Sequence, residues 1–253
     1  MKPLPEETAK ASKGGPPAWP WSESFWRLLF PPRCLTCEAL LPPPPGLPLC
    51  RSCQRQFTPA GLICPRCGTI FRLGQPCGCP LDTLPLKGLY ALSWYEGAWR
   101  RMLHRLKFEQ KRSLARPLGR WLGELVARET AWEPELVIPV PLHRRRLAER
   151  GYNQALLLAR FAAQALQLPL RPLLVKPKPT LPQSSLSYQQ RRENVRGAFA
   201  YRGKPLPGKR ALLVDDIYST GATMQEAARV LSEQGLIVYG AAAAFTPRLS
   251  PPC

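Results

Sequence analysis

From Lys87 onward, short and almost wholly apolar runs alternate with stretches in which apolar residues recur every three or four positions, as expected of strands and helices stacked in layers. The runs Leu136-Val137-Ile138-Pro139-Val140 and Ala211-Leu212-Leu213-Val214 have no polar face, so they predict strands of a parallel sheet covered on both sides. Helices are expected between them, first over residues 155–166. After the second run, Met224, Ala227, Ala228 and Leu231 recur at helical spacing until Gly235 stops the helix, and residues 236–239 return as a strand. The expected fold class is α/β, a parallel sheet flanked by helices.

Ahead of Lys87 this periodicity fades. Eight of the nine cysteines lie between Cys34 and Cys79, among many Pro and Gly residues, in a segment that buries too little to be stable unaided. The expected organisation is a mobile tail over 1–30, a cysteine-rich unit over 31–85, a larger unit over 86–247 and a short tail over 248–253. Within the first tail, residues 24–30 read as a short apolar helix closed by Pro31-Pro32.

Cys34-x2-Cys37, twelve residues, then Cys50-x2-Cys53 offers two knuckles of two sulfurs each, the donor set of a tetrahedral zinc ion. In the second set Cys64-x2-Cys67 is followed by Cys77 and Cys79, which only one residue separates. The spacing leaves open whether the knuckles pair in sequence or interleave. A redox dithiol is the rival for any one knuckle.

The net charge of +19 on 253 residues favours polyanions: nucleic acid, pyrophosphate-bearing metabolites or anionic lipid. The rival is a coding bias toward Arg without any such partner. Basic residues concentrate in two places. Residues 100–120 hold eight Lys or Arg against one acid, and residues 176–210 hold nine against one. No apolar run reaches 18 residues, and the longest, 235–245, is too short to span a bilayer, so no membrane insertion is expected. The first 20 residues lack the apolar core of a secretion signal, which points to the cytoplasm and to metal, not disulfides, at the paired cysteines.

The richest segment is Val214-Asp215-Asp216-Ile217-Tyr218-Ser219-Thr220-Gly221-Ala222-Thr223, where a strand ends in two carboxylates and turns through small residues into a helix. Unpaired amides at a helix start attract anions, and Gly221 lets the backbone come close, so Ser219, Thr220, Gly221, Ala222 and Thr223 suit a phosphate. Asp215 and Asp216 suit vicinal ribose hydroxyls and a divalent cation. The competing reading is a strand-turn-helix with acidic caps and no ligand.

These residues resemble the signature of type I phosphoribosyltransferases. Arg150-Gly151-Tyr152-Asn153-Gln154, the polar stretch 180–199, Leu103-His104-Arg105-Leu106-Lys107-Phe108 and the cysteine module extend the likeness to the ComF family of competence proteins. The resemblance implies a type I phosphoribosyltransferase-like parallel sheet behind a small N-terminal double zinc ribbon, held by Cys34, Cys37, Cys50, Cys53, Cys64, Cys67, Cys77 and Cys79. It implies phosphoribosyl pyrophosphate as ligand, with Mg, and catalytic roles for Asp215, Asp216, Arg150 and Lys107. Gly151 and Asn153 would meet the pyrophosphate, under a flexible hood carrying Gln183, Arg192 and Asn194. Asn153 also suits a helix cap. The resemblance further implies single-stranded DNA, an uptake helicase and other competence proteins as partners, at the inner face of the membrane through those partners. A non-catalytic adaptor binding the same ligands and a nucleobase salvage enzyme are the alternatives.

Overall fold

The computed structural model describes residues 31, 33–41, 49–71, 77–181 and 187–246. The two tails, the expected helix over 24–30, Cys253 and Gln183 lie outside the described residues.

Among the described residues the first elements are a short helix α1 (Arg51–Arg55) and strand β1 (Pro59–Ile63). Next come β2 (Leu86–Trp94), α2 (Gly97–Phe108), α3 (Ala115–Glu129), β3 (Leu136–Pro139), α4 (Arg144–Arg150) and α5 (Gln154–Leu166). Then follow β4 (Leu174–Val175), α6 (Tyr188–Val195), β5 (Ala200–Tyr201), β6 (Arg210–Tyr218), α7 (Ala222–Ser232) and β7 (Ile237–Phe245). Five strands form one sheet in the order β1-β2-β7-β6-β3, and β4 and β5 pair as a separate two-stranded sheet. β2, β7, β6 and β3 run parallel, while β1, drawn from between the two cysteine sets, adds antiparallel to β2.

Helices cover both faces, as all-apolar strands require. On one side Trp99 and Met102 of α2, Leu118 and Leu122 of α3, and Leu158 of α5 pack against Val137 and Leu212. Met224, Ala227 and Leu231 of α7 pack on the other face against Leu213 and Val238. Trp99 donates its indole N–H to the Ala243 carbonyl (2.8 Å), so its polar edge is satisfied inside the core.

Helices α3 and α5 meet through glycines. A Cβ on Gly119 would stand 2.5 Å from the Leu158 carbonyl oxygen and 2.8 Å from Phe161 Cβ. In an open helix Gly→Ala gains up to ~1 kcal/mol from propensity. Here the obstacle is backbone, which cannot step aside, and overpacking of this kind costs roughly 1–3 kcal/mol. Gly119→Ala is therefore expected to lower the thermal midpoint by about 2–8 °C. Differential scanning calorimetry reads this directly, and a higher midpoint would refute close packing at the α3/α5 crossing.

Candidate functional site

Strand β6 runs further than its apolar stretch suggests. The ladder with β3 ends at the pair Pro139 and Val214, whereas the ladder with β7 continues through Asp215 opposite Ala242 and Ile217 opposite Ala244 to Tyr218 opposite Phe245. Past Val214 one flank of β6 is consequently open, and Asp215 and Asp216 lie on that overhang. The backbone then bends over 219–221, Gly221 takes a left-handed φ of 76°, and α7 begins at Ala222. The turn is tightened by the Ala222 N–H, which donates to Thr220 Oγ1 at 3.4 Å. The leading amides of a helix have no partner within it, so this turn presents donors at the carboxyl end of the sheet.

Two lysines face the acidic pair. Lys107 Nζ stands 3.4 Å from Asp216 Oδ2. Burial pushes the Asp215 carboxyl up to about 7, and the Asp216 charge adds to that, against the Asp216 N–H, Lys107 and Lys176. Lys176 is held below its usual range, chiefly by burial, although Asp215 favours its charged form. Two carboxylates are hard-oxygen donors of the kind a divalent cation takes.

A carboxyl raised above its unfolded value contributes stability that is complete below about 4 and is lost as pH rises toward 7. Asp215→Asn should remove that loss, making the ligand-free protein more stable than wild type at pH 8 by on the order of 2 kcal/mol and equal to it near pH 4. Melting both proteins across this range without divalent cations tests the sign, and a variant less stable at pH 8 would contradict it.

The loop after β3 folds back on the end of α2. His143 caps α4 by accepting from the Arg145 N–H through Nδ1 (3.3 Å), and Gly151 closes α4 at φ 75°. Tyr152 donates its hydroxyl to the Leu106 carbonyl, and Arg112 lies over its ring at 4.7 Å. Asn153 caps α5 by accepting from the Ala155 N–H (3.0 Å) while its amide donates to the Val140 carbonyl (3.0 Å). Gln154 bridges the Lys107 carbonyl (3.5 Å) and Arg150, whose guanidinium sits over Phe108 at 5.4 Å. Arg150 and Lys107 are thus brought together. Gly151 and Asn153 shape the loop.

The hood holds a helix. Ser187 and Gln190 form a capping box that starts α6, a device independent of any apolar stripe. Arg192 lines a cleft of about 1500 Å³ with Thr220 and Ala222. Asn194 instead closes the hood on itself, accepting from the Leu181 N–H (2.9 Å) and donating to its carbonyl (3.1 Å). Lys176 is the site residue that sequence reasoning did not single out; only its burial next to Asp215 separates it from the other lysines of its basic segment.

The cysteines resolve into two sequential tetrads. Cys34, Cys37, Cys50 and Cys53 gather their sulfurs within 4.8 Å of one another, and Cys64, Cys67, Cys77 and Cys79 do the same. The Cys37 and Cys50 sulfurs are 3.6 Å apart, close to the roughly 3.8 Å edge of a tetrahedron with Zn–S bonds of ~2.3 Å. Burial raises the Cys34 thiol, but N–H donors of Cys37, Cys50 and Thr36 overcome it and bring it down to about 6. The first knuckle is tied to the sheet domain. Arg105 of α2 donates to the Leu35 and Thr36 carbonyls (3.2 and 3.3 Å), and a groove of about 780 Å³ there gathers Arg100, Arg101, His104 and Arg105.

Residues 25–79 match the family model described as a double zinc ribbon domain. The chain is 32% identical over 197 residues to competence protein F of Haemophilus influenzae, covering 74% of this chain and 86% of that protein. It is 31% identical over 194 residues to DNA utilization protein YhgH of Escherichia coli O157:H7, covering 74% and 85%. Among solved structures it is similar to a purine phosphoribosyltransferase from Pyrococcus horikoshii Ot3, at 18% identity and a TM-score of 0.35, covering 65% of this chain and 83% of that one. No described helix is long and apolar enough to cross a membrane.

Proposed function

The chain belongs to the ComF family, that of competence protein F, and from that premise we propose that it binds phosphoribosyl pyrophosphate with Mg²⁺ and single-stranded DNA in the handling of incoming DNA. A zinc-bearing ribbon over 31–85 and a phosphoribosyl-binding unit over 86–247 divide the work. One observation carries the reading: β6 outruns β3, so two carboxylates and a donor-lined turn occupy one open sheet end.

In this reading Asp215 and Asp216 accept from the ribose hydroxyls, and Ser219, Thr220, Gly221, Ala222 and Thr223 wrap the 5-phosphate. Lys107 and Arg150 meet the pyrophosphate over the loop shaped by Gly151 and Asn153, and Arg192 and Asn194 belong to the hood, to which the sequence also assigns Gln183. Mg²⁺, when bound, neutralises phosphate oxygens beside the acidic pair. Transfer is the catalytic extension of this binding: a nucleophilic atom of an acceptor bonds to ribose C1 as the C1 bond to pyrophosphate breaks, the acceptor's proton passes to solvent, and Lys107 and Arg150 stabilise the departing pyrophosphate oxygens. The basic grooves, including that of Arg100, Arg101 and Arg105, suit the DNA backbone. The setting is the cytoplasm, beside an uptake helicase and other competence proteins at the inner face of the membrane.

Calorimetric titration with phosphoribosyl pyrophosphate and Mg²⁺, alongside single-stranded DNA at two salt concentrations, tests both halves. DNA affinity should fall with salt at a slope of about −0.7 per phosphate contacted. Absence of any phosphoribosyl pyrophosphate binding would end the first half. Pyrophosphate release in the presence of a base panel or single-stranded DNA separates a transferase from an adaptor that only binds.

A further inference from the structure

One tie between ribbon and sheet domain converges on a single atom. Pro65, the first residue inside the Cys64-x2-Cys67 knuckle, offers its carbonyl oxygen to two donors, Tyr218 Oη at 2.8 Å and Gln225 Nε2 at 3.0 Å. Tyr218 is the last residue of β6 and only 1% exposed; Gln225 lies in the first turn of α7. The two donors therefore stand on either side of residues 219–223, and both lone pairs of a single carbonyl are used to hold them.

We infer that the Cys64–Cys67 knuckle is a positioning element for the phosphate turn, so that metal in the second tetrad and a sugar phosphate at residues 219–223 strengthen each other's binding. This rests on the phosphoribosyl reading above for the nature of the ligand. The knuckle's own shape is set by the Cys64 N–H donating to the Thr69 carbonyl (2.8 Å) and the Gly68 N–H donating to the Cys64 carbonyl (2.9 Å). Those two bonds fix the turn locally, and a metal shared by the four sulfurs would hold the tetrad together.

Gln225 shows which way the amide is locked. Its Oε1 is buried without a hydrogen bond, while its Nε2 faces Pro65. Turning the amide over would set two oxygens against each other, so the acceptor stays unsatisfied and the donor keeps the knuckle. The same cleft is lined by Pro65 and Cys67 from the ribbon and by Thr220 and Ala222 from the phosphate turn, which makes the ribbon a wall of the site and not an appendage. Because binding free energies couple reciprocally, metal bound at the knuckle and ligand bound at the turn must each raise the other's affinity by one and the same factor.

The test uses the full chain, zinc-loaded under reductant, as wild type, Tyr218→Phe, Gln225→Leu and the double variant. The double variant is expected to bind phosphoribosyl pyrophosphate about 5- to 20-fold more weakly, with zinc content and far-ultraviolet circular dichroism unchanged. In wild type the ligand should slow release of one zinc to a competing chelator, and in the double variant it should not. Without ligand, amide hydrogen exchange at residues 219–225 should quicken in the double variant while β2 and β7 stay protected. Unchanged affinity together with unchanged exchange would overturn the inference. If wild type binds no phosphoribosyl pyrophosphate, the proposed function falls, and exchange at 219–225 alone decides the positioning role.

Discussion

Replacing Asp215 and Asp216 together by Ala is expected to weaken phosphoribosyl pyrophosphate binding by roughly 100- to 10,000-fold, because each ionised acceptor is worth ~1.5–3 kcal/mol to a bound hydroxyl. The fold should survive the change and gain from it. Asp215 is driven up to about 7 by burial and by Asp216, so the pair is held in the sheet at the expense of stability, and the double variant should melt above wild type at pH 8. Loss of binding with a higher melting temperature separates a functional defect from an unfolded one. A double variant that binds normally would remove the acidic pair from the site. Single changes should be unequal: Asp216 alone has an ion-pair partner in Lys107, which its removal would leave beside the ligand's phosphates.

The second large effect concerns metal. Cys53→Ser is expected to reduce the zinc content from two ions per chain to one and to lower the thermal midpoint by about 10 °C or more. Cys53 is 5% exposed, and a metal held by its tetrad would join the two knuckles of residues 34–53, the first of which Arg105 also grips. Free energies of zinc capture by such tetrads exceed what a few buried side chains supply, so the ribbon should loosen as a unit. Metal analysis of the purified variant and calorimetry read the two numbers. Retention of two zinc ions would show that the tetrad does not work as one site.

Much of the sheet domain is legible in the sequence because its strands are buried on both faces. The apolar runs at 136–140 and 211–214 need no context to be read as strands, and the helix carrying Met224, Ala227, Ala228 and Leu231 follows from spacing alone. The extension of β6 to Tyr218 is not legible, since two carboxylates end the apolar run while pairing with β7 carries the strand on. β1 is invisible for a related reason. Its residues Pro59 to Ile63 look like loop, and only partners on β2, some thirty residues away, make them a strand. Helix α6 lacks an apolar face, although Ser187 and Gln190 at capping-box spacing were a signal that could have been used.

The candidate site divides in the same way. Asp215, Asp216, the turn 219–223, Arg150 and Lys107 are recognisable by residue type, and the structure sets Lys107 beside Asp216 and links Arg150 to it through Gln154. Lys176 is marked only by burial, and the Pro65 carbonyl by nothing, because a backbone oxygen is common to every residue. Pairing of the cysteines likewise depends on where the chain turns between knuckles, which spacing leaves open and the two compact tetrads settle.

The antiparallel strand contributed by the cysteine-rich half has a consequence for how the molecule can be dissected. β1 covers the outer side of β2, a nine-residue strand that is almost wholly buried. A fragment starting at residue 86 would leave that strand's edge bare over residues 89–93, where β1 pairs with it, a template for association with other copies. The metal-bearing half thus shields part of its neighbour's outer sheet edge, and cutting between the two would uncover it.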